Sequence, residues 1–263
     1  MKNILKTMLQ RLSNSDDSEL LSWAAPIPSF GNLQGTSIAT LGINPSNREF
    51  VDDNGVELTT RERRFHTLKS LQLEEWSDAG GDELELIVDS CNEYFFRNPY
   101  NAWFRRLDSI VAGTGHSYFD RMFPACHIDL LPFATDCKWG TLSGIRRKHL
   151  LRSNADLLRS LIQSSDLELL ILNGQSVVTE FERISGTSLT AETMQGWQLP
   201  RGNGENVPGI AYTGVCRSIV GEKLPRDIKV LGFNHNIQSS FGVTSSVVRN
   251  IAKWVRETAE TRQ

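Results

Sequence analysis

A glycine, an amide and a serine follow the first apolar run of the chain, in the segment Gly42-Ile43-Asn44-Pro45-Ser46. Glycine lets a backbone or a ligand approach closely, and Pro45 biases Asn44 toward an extended conformation. The Asn44 amide is therefore expected at a fixed position, where it can orient a water molecule but cannot remove its proton. The alternative is a simple turn from strand to loop, in which Asn44 only satisfies backbone groups.

A histidine follows the last apolar run of the chain, within a dense polar loop. His235 at this place could donate a hydrogen bond to an oxygen that gains negative charge in a transition state. Hydroxyl residues then surround the start of the last helix, where free backbone N–H groups suit phosphate. The alternative is a capped helix with a buried histidine, in which the two apolar residues of the loop pack in the core. The loop after His235 contains Asn236, Ile237, Gln238, Ser239, Ser240 and Phe241.

An aspartate lies among leucines in the second apolar run of the chain. A carboxylate is costly to bury there unless hydrogen-bond donors surround it. Asp129 could accept a hydrogen bond from the N4 amino group of cytosine, a pairing that geometry favours. The alternative is a carboxylate that bonds to backbone amides or to a nearby arginine.

Two short clusters of basic residues could contact a phosphate backbone, although such clusters are also common on solvated faces. Phe65, beside the first cluster, could stack on a base or pack in the core. The clusters comprise Arg61, Arg63 and Arg64 in the first case, and Arg146, Arg147, Lys148 and His149 in the second.

The elements that must position these residues are short strands that alternate with helices. Near-continuous apolar runs are typical of strands buried on both faces of a parallel sheet. Their alternation with helical patterns predicts a doubly wound α/β sheet, in which chemistry gathers at the carboxyl ends of the strands. The runs span 37–46, 125–136, 167–174 and 228–236, and the predicted helices span 1–22, 101–113, 152–166 (with Ser153 as N-cap), 175–186 and 244–262.

Composition limits the class of protein. The 263 residues are 39% hydrophobic with a net charge of −3, which excludes a disordered or fibrous chain and predicts a single α/β domain over 1–263, with the helix 1–22 packed on it. No apolar run reaches the ~18 residues of a membrane span, and four scattered cysteines suit a reducing cytosol. The signatures of phosphate loops, dinucleotide folds, zinc proteases, zinc deaminases and nucleophile-elbow hydrolases are absent.

The strand ends, taken together and in order, resemble the uracil-DNA glycosylase superfamily. Gly42-Ile43-Asn44-Pro45-Ser46 matches the Asn version of that family's Gly-x-(Asp/Asn)-Pro motif. Asn234-His235-Asn236 stands where the family has His-Pro-Ser or Asn-Pro-Ser, and differs by lacking the proline. Asp129 is the nearest counterpart of an Asn that reads uracil in many members. The resemblance implies a uracil-DNA glycosylase-like fold, with a four-stranded, mostly parallel central sheet flanked by helices.

The resemblance also implies an activity. The chain looks like an antiphage branch of the superfamily that removes hypermodified cytosines, such as glucosylated hydroxymethylcytosine. A DNA glycosylase of this kind flips a pyrimidine out of DNA and hydrolyses its N-glycosidic bond, leaving an abasic site. Asn44 would position the water, His235 would stabilise charge on the base, and Asp129 would select cytosine. Phe65 or Phe133 would stack on the base, and the Ile237/Phe241 loop would fill the gap in the duplex.

The residues that follow from this hypothesis form two further sets. Those expected to contact the substrate, besides Asn44 and His235, are Gly42, Ile43, Pro45, Ser46, Phe65, Asp129 and Phe133. Those expected to contact DNA are Arg63, Arg64, Arg146, Arg147, Asn236, Ile237, Gln238, Ser239, Ser240 and Phe241.

We expect a cytoplasmic monomer that acts on single- or double-stranded DNA, with no membrane association and no metal or cofactor. Two alternatives remain open. One is a module that binds a modified or damaged base without cutting it, which an amide at position 44 favours. The other is an enzyme that acts on free nucleosides or nucleotides.

Overall fold

A six-stranded mixed sheet forms the centre of the molecule. The computed structural model describes residues 1–98, 101–201 and 204–260. The strands are β1 Ile38–Gly42, β2 Cys126–Asp129, β3 Leu169–Asn173, β4 Thr190–Pro200, β5 Asn206–Ile219 and β6 Glu222–Phe233. Their spatial order is β2-β1-β3-β6-β5-β4. Strands β2, β1, β3 and β6 are parallel, whereas β5 and β4 are antiparallel to their neighbours.

The register aligns the carboxyl ends of the four parallel strands. Gly42 pairs with Asp129 across β1 and β2, and Asn173 pairs with Phe233 across β3 and β6. Leu41 pairs with Leu172 across β1 and β3. The residues that follow these strands therefore meet along one edge of the sheet.

The predicted α/β class is confirmed, but the predicted four-stranded sheet is too small. The four apolar runs became the four parallel strands, and the β4–β5 hairpin adds two more. Strand β4 forms an edge of the sheet and is mostly exposed, so it has no apolar run from which it could be predicted.

Helices flank the sheet on both faces. Their bounds are α1 Lys2–Ser13, α2 Leu68–Leu71, α3 Gly81–Asn92, α4 Tyr94–Arg97, α5 Ala102–Val111, α6 Gly144–Gln163, α7 Gln175–Ser185 and α8 Ser245–Glu260. Helix α1 ends well before the predicted limit at residue 22. Helix α6 begins before the predicted start, because the Ser143 side chain accepts from Arg146 N; Ser153 is thus inside the helix and is not its N-cap.

Alternate residues of the parallel strands face two hydrophobic layers. In β3, Leu170 and Leu172 pack in one layer and Leu169 and Ile171 in the other. The first layer includes apolar residues of α1, α6 and α7, and the second includes those of α5 and α8. A buried leucine stabilises a fold by about 1.5–3 kcal/mol, so both layers hold the strand ends in place. Among the described residues, no helix is both long and apolar enough to cross a membrane.

Candidate functional site

A cleft of about 880 Å³ opens at the carboxyl edge of the parallel strands. It lies across β1, β2, β3 and β6, where the order of strands along the chain reverses, and such crevices are where open α/β sheets bind ligands. The loops that leave all four strands contribute to its lining, which includes Gly42, Ile43, Asn44, Pro45, Ser46, Asp129, Asn173, Gly174, Asn234 and Asn236.

Asn44 is oriented by two hydrogen bonds from its side-chain nitrogen. Nδ2 donates to the carbonyl of Pro45 at 3.0 Å and to Thr135 Oγ1 at 3.2 Å. The Thr135 hydroxyl donates to the carbonyl of Cys137 at 2.8 Å, so it acts as acceptor toward Asn44. Within the described ranges, no protein donor reaches Asn44 Oδ1. That oxygen is therefore available to accept a hydrogen bond from a water molecule in the cleft.

Asp129 and His127 form a buried pair directly over Gly42. His127 Nε2 lies 3.4 Å from Asp129 Oδ1, and the two side chains are 2% and 4% exposed. A Cβ atom on Gly42 would lie 2.3 Å from Asp129 Oδ1 and 2.8 Å from His127 Nε2. Glycine is required at this position because the pair occupies the space of a side chain.

A chain of hydroxyl groups sets the tautomer of His127. Nδ1 lies 2.7 Å from Thr40 Oγ1, which lies 2.5 Å from the Tyr118 hydroxyl. If Tyr118 donates to Thr40 and Thr40 donates to Nδ1, the hydrogen of His127 lies on Nε2, the nitrogen that faces the Asp129 carboxylate. Asp129 lines the cleft, and among the described residues no hydrogen bond occupies its carboxylate oxygens.

Glu49 supplies a second carboxyl group to the cleft, and its importance was not predicted. It is buried, accepts from the Tyr94 hydroxyl at 2.9 Å, and lies 3.4 Å from Arg64 Nη1. Burial raises the pKa of Glu49 above its ordinary value near 4.5, and the charge of Asp129 adds to this, whereas Arg64 and Tyr94 oppose it. Glu49 is thus a carboxyl group that can hold a proton more readily than one in water.

The aromatic rings of the cleft differ from those predicted. Phe65 is 2% exposed and stacks on Tyr94 in the core, with ring centroids 5.1 Å apart, and Phe133 is equally buried in the opposite layer. Neither lines the cleft, so the expectation that they stack on a base is corrected. The rings that do line it are Phe30, Trp103, Phe104 and Trp139.

His235 does not line the cleft, and its expected contact with a base is corrected. Its imidazole is 2% exposed, and Nε2 lies 2.7 Å from the carbonyl of Trp197 in β4. A carbonyl only accepts, so Nε2 carries the hydrogen. Burial lowers the pKa of His235, although the hydrogen bond to Trp197 opposes this. His235 therefore ties the loop after β6 to the β4–β5 hairpin.

The rest of this loop is anchored by amides. Asn173 accepts from Ile237 N at 3.1 Å and donates to Gln238 Oε1 at 2.7 Å. Ile237 is fully buried, so its expected role as a wedge in the duplex is corrected. Asn236, Ser239 and Ser240 line the cleft, and Phe241 is 85% exposed immediately after them. Phe241 is therefore an exposed apolar side chain next to the cleft lining, whereas Ile237 belongs to the core.

The two basic clusters have different environments. Arg64 lines the cleft, and Arg63 lines a cavity beside it. Arg146 and Arg147 do not line the cleft, and Arg146 is paired with Asp17 and Glu19. Two carboxylates already offset the charge of Arg146, and its expected contact with phosphate stays a prediction. For Arg147 the structure supports no contact of this kind.

Several cleft residues were missed because their sequence signals are structural. Trp103 and Phe104 follow Asn101, whose side chain caps α5, and the segment reads as an ordinary helix start. Phe30 follows a Pro-rich stretch that reads as a helix terminator. Within the ranges that the structure describes, no group of three or more His, Cys, Asp or Glu side chains is arranged to hold a metal ion.

The chain was also compared with known proteins, and neither protein-family models nor curated proteins give a match.

Proposed function

We propose that the cleft hydrolyses the N-glycosidic bond of a modified cytosine that is flipped out of DNA. One observation carries the proposal: Asn44 and Asp129, at neighbouring strand ends, line the same cleft with a free acceptor oxygen each. Asn44 suits a water molecule, and Asp129 suits the N4 amino group of cytosine. The placement of both fits what the resemblance to uracil-DNA glycosylases implies.

The reaction breaks the bond between the sugar carbon and the base nitrogen. The bonding electrons leave with the base, and the oxygen of the water held by Asn44 bonds to the sugar carbon. One proton of that water is lost as the departing base gains one. An amide cannot take the proton, so we assign its relay to Glu49, the buried carboxyl group of the cleft.

The size of the cleft supports a bulky substrate. Its volume of about 880 Å³ lies near the top of the ~300–1,000 Å³ range of small-molecule sites. A base held at Asp129 would leave other polar lining residues, Arg64, Asn98 and Asn101, for a substituent. These planar polar side chains suit the hydroxyl groups of a hydroxymethyl or glucosyl substituent. A cytosine modified in this way is a feature of phage DNA, which would place the activity in antiviral defence.

The test is to incubate the protein with DNA that contains uracil, hypoxanthine, hydroxymethylcytosine or glucosylated hydroxymethylcytosine. We expect a released base and an alkali-labile site with a modified cytosine. Asn44→Ala should lower the rate by about 100-fold or more, as loss of a preorganised polar group does. Asp129→Asn should shift preference toward uracil. Asn3→Ala and Asp78→Asn, at exposed positions, are the matched controls. No released base from any DNA of the panel would overturn the proposal.

A second candidate function is a module that binds a modified base without cutting it. The orientation of His235 favours it, because the donor expected to stabilise the departing base is bonded to Trp197. The same panel separates the two functions. Affinity for one modified DNA that Asp129→Asn weakens, with no abasic site after long incubation, would support the binding module.

A further inference from the structure

A second cavity, of about 430 Å³, lies beside the cleft and shares Arg48, Arg64 and Asn98 with it. We call it the arginine pocket. Its charged lining consists of Arg48, Arg61, Arg63, Arg64 and Arg97 together with Asp52, Asp53 and Glu62. The excess of guanidinium groups makes it a candidate for an anion.

The carboxylates of the arginine pocket are largely occupied elsewhere. Asp53 pairs with Arg48. Asp52 accepts from the backbone N–H groups of Asn54 and Val56, both at 2.8 Å, and so closes a local turn. Glu62, the third carboxylate, makes no ion pair with an arginine of the pocket, so five guanidinium groups stand against three carboxylates.

Three arginines of the pocket have no ion-pair partner among the described residues. Arg64 is paired with Glu49, but among the described residues no carboxylate lies within ion-pair distance of Arg61, Arg63 or Arg97. Arg97 Nη2 donates to the carbonyl of Arg63 at 3.0 Å, which holds these two neighbours together. This differs from Arg146, whose partners Asp17 and Glu19 leave no charge for a ligand.

The positive charges of Arg63 and Arg97 also act on His66, a buried histidine near the arginine pocket. The pKa of His66 is lowered to about 4, first by burial and then by the charges of Arg63 and Arg97. A bound anion would offset those two charges and raise the pKa of His66. The histidine is therefore a built-in reporter of anion binding.

We propose that the arginine pocket binds a phosphate group of the DNA strand beside the flipped nucleotide. Guanidinium groups match phosphate oxygens in geometry and keep their charge at any physiological pH. The shared wall of Arg48, Arg64 and Asn98 places the bound phosphate next to the cleft. The position of the strand rests on the proposed function, whereas anion binding itself does not.

The first experiment measures binding of the intact protein to fluorescently labelled, unmodified DNA over a range of salt concentrations. Arg61→Gln, Arg63→Gln and Arg97→Gln should each weaken binding by about three- to tenfold and reduce the salt slope by about 1. Arg217→Gln removes the same charge at an exposed site on β5, where Arg217 pairs with Asp227, and should change little. Arg97→Lys keeps the charge and separates loss of binding from loss of fold. Pocket variants that bind DNA as tightly as Arg217→Gln would overturn the proposal.

The second experiment uses inorganic phosphate alone and follows His66 by NMR. Phosphate should raise the pKa of His66 in the wild type and not in Arg63→Gln. A pKa that does not respond to phosphate would contradict anion binding, and a response with unchanged DNA affinity in the variants would contradict the assignment to the DNA strand. Neither readout requires base removal, so failure of glycosylase activity would leave this proposal standing.

Discussion

Two strand-end residues divide the work of the cleft according to what their side chains can do. Asn44 is held by Pro45 and Thr135 and offers only an acceptor, so it can place a water molecule but cannot activate it. Asp129 is held by His127 and offers an acceptor to a donor on the ligand. Under the proposed function, the water placed by Asn44 must lose its proton to another group, and we assign that step to Glu49.

Gly42→Ala tests how tightly the Asp129–His127 pair is built. The new Cβ would lie 2.3 Å from Asp129 Oδ1, far inside contact distance, and the pair must move. We expect a loss of about 1–3 kcal/mol in the free energy of unfolding, as for other overpacked sites, together with weaker selection of cytosine. Urea unfolding and the base-release panel measure the two effects.

Gly140→Ala is the control for this substitution, because no atom lies within 4 Å of the Cβ position there. It should leave both stability and selection nearly unchanged. Equal behaviour of the two variants would show that Asp129 and His127 are not packed against Gly42 in solution.

Glu49→Gln tests the buried carboxyl group. The pKa of Glu49 is raised in the folded protein, so the folded state binds a proton more tightly than the unfolded chain does. Wild-type stability should therefore fall, relative to Glu49→Gln, as the pH rises from about 4.5 through the raised pKa. Urea unfolding of both proteins over this range measures the difference, and parallel pH profiles would contradict the raised pKa. If Glu49 also relays the proton, Glu49→Gln should lower the rate of base release without weakening DNA binding.

Among the helices and strands, those with a regular pattern of buried apolar residues could be predicted from the sequence. Strands β1, β2 and β3 lie within the predicted apolar runs, and α5, α7 and α8 carry apolar stripes and were predicted within a few residues. The run 228–236 predicted only the second half of β6, because the first half of that strand is mostly polar and exposed. The β4–β5 hairpin was not predicted, because pairing with β6 stabilises it and its edge strand is mostly polar. Only a long-range contact could have revealed it.

In the candidate site, too, the features that could not be predicted depend on contacts between residues distant in the sequence. The parallel strands bring Asn44 and Asp129 to one edge, so their shared cleft follows from the pattern. His235 was misplaced because its partner, Trp197, lies on the unpredicted hairpin. Phe65 and Ile237 were misplaced because burial of an apolar side chain stabilises the core more than an exposed position does. Glu49 was missed because its partner Tyr94 lies 45 residues along the chain.

His235 joins two elements, the loop after β6 and the edge hairpin, and its substitution should act through the fold. His235→Ala removes the donor to the carbonyl of Trp197 and leaves that buried group unpaired. We expect a loss of about 1–3 kcal/mol in the free energy of unfolding, and a smaller loss for His235→Gln, which can keep a donor.

The rate of base release shows whether His235 only stabilises the fold or also takes part directly in the reaction. His235→Gln should retain far more activity than Asn44→Ala, because only Asn44 lines the cleft. A His235→Gln variant with wild-type stability and no activity would instead assign His235 a direct role in the reaction.

At the scale of the whole molecule, charge is distributed unevenly. The chain carries a net charge of −3, yet the arginine pocket beside the cleft concentrates five guanidinium groups. If the arginine pocket binds phosphate as proposed, contact with DNA should be concentrated at the cleft and the pocket beside it, because the net charge of the chain is negative.

Burial of His66, together with the charges of Arg63 and Arg97, should make the fold sensitive to acid. Its pKa is about 4 in the folded protein, against an ordinary value of 6.5, so the unfolded chain binds protons more readily between these values. The contribution of neutral His66 to the free energy of unfolding should therefore be fully present above about pH 6.5. It should be lost as the pH drops toward 4, by an amount on the order of 3 kcal/mol. Urea unfolding at successive pH values measures the fall. His66→Gln removes the titrating group and should flatten the profile over this range, whereas an unchanged profile would show that other groups govern the acid limit.

Because a phosphate in the arginine pocket would raise the pKa of His66, added phosphate should also reduce the loss of stability on acidification, and Arg63→Gln should abolish that protection.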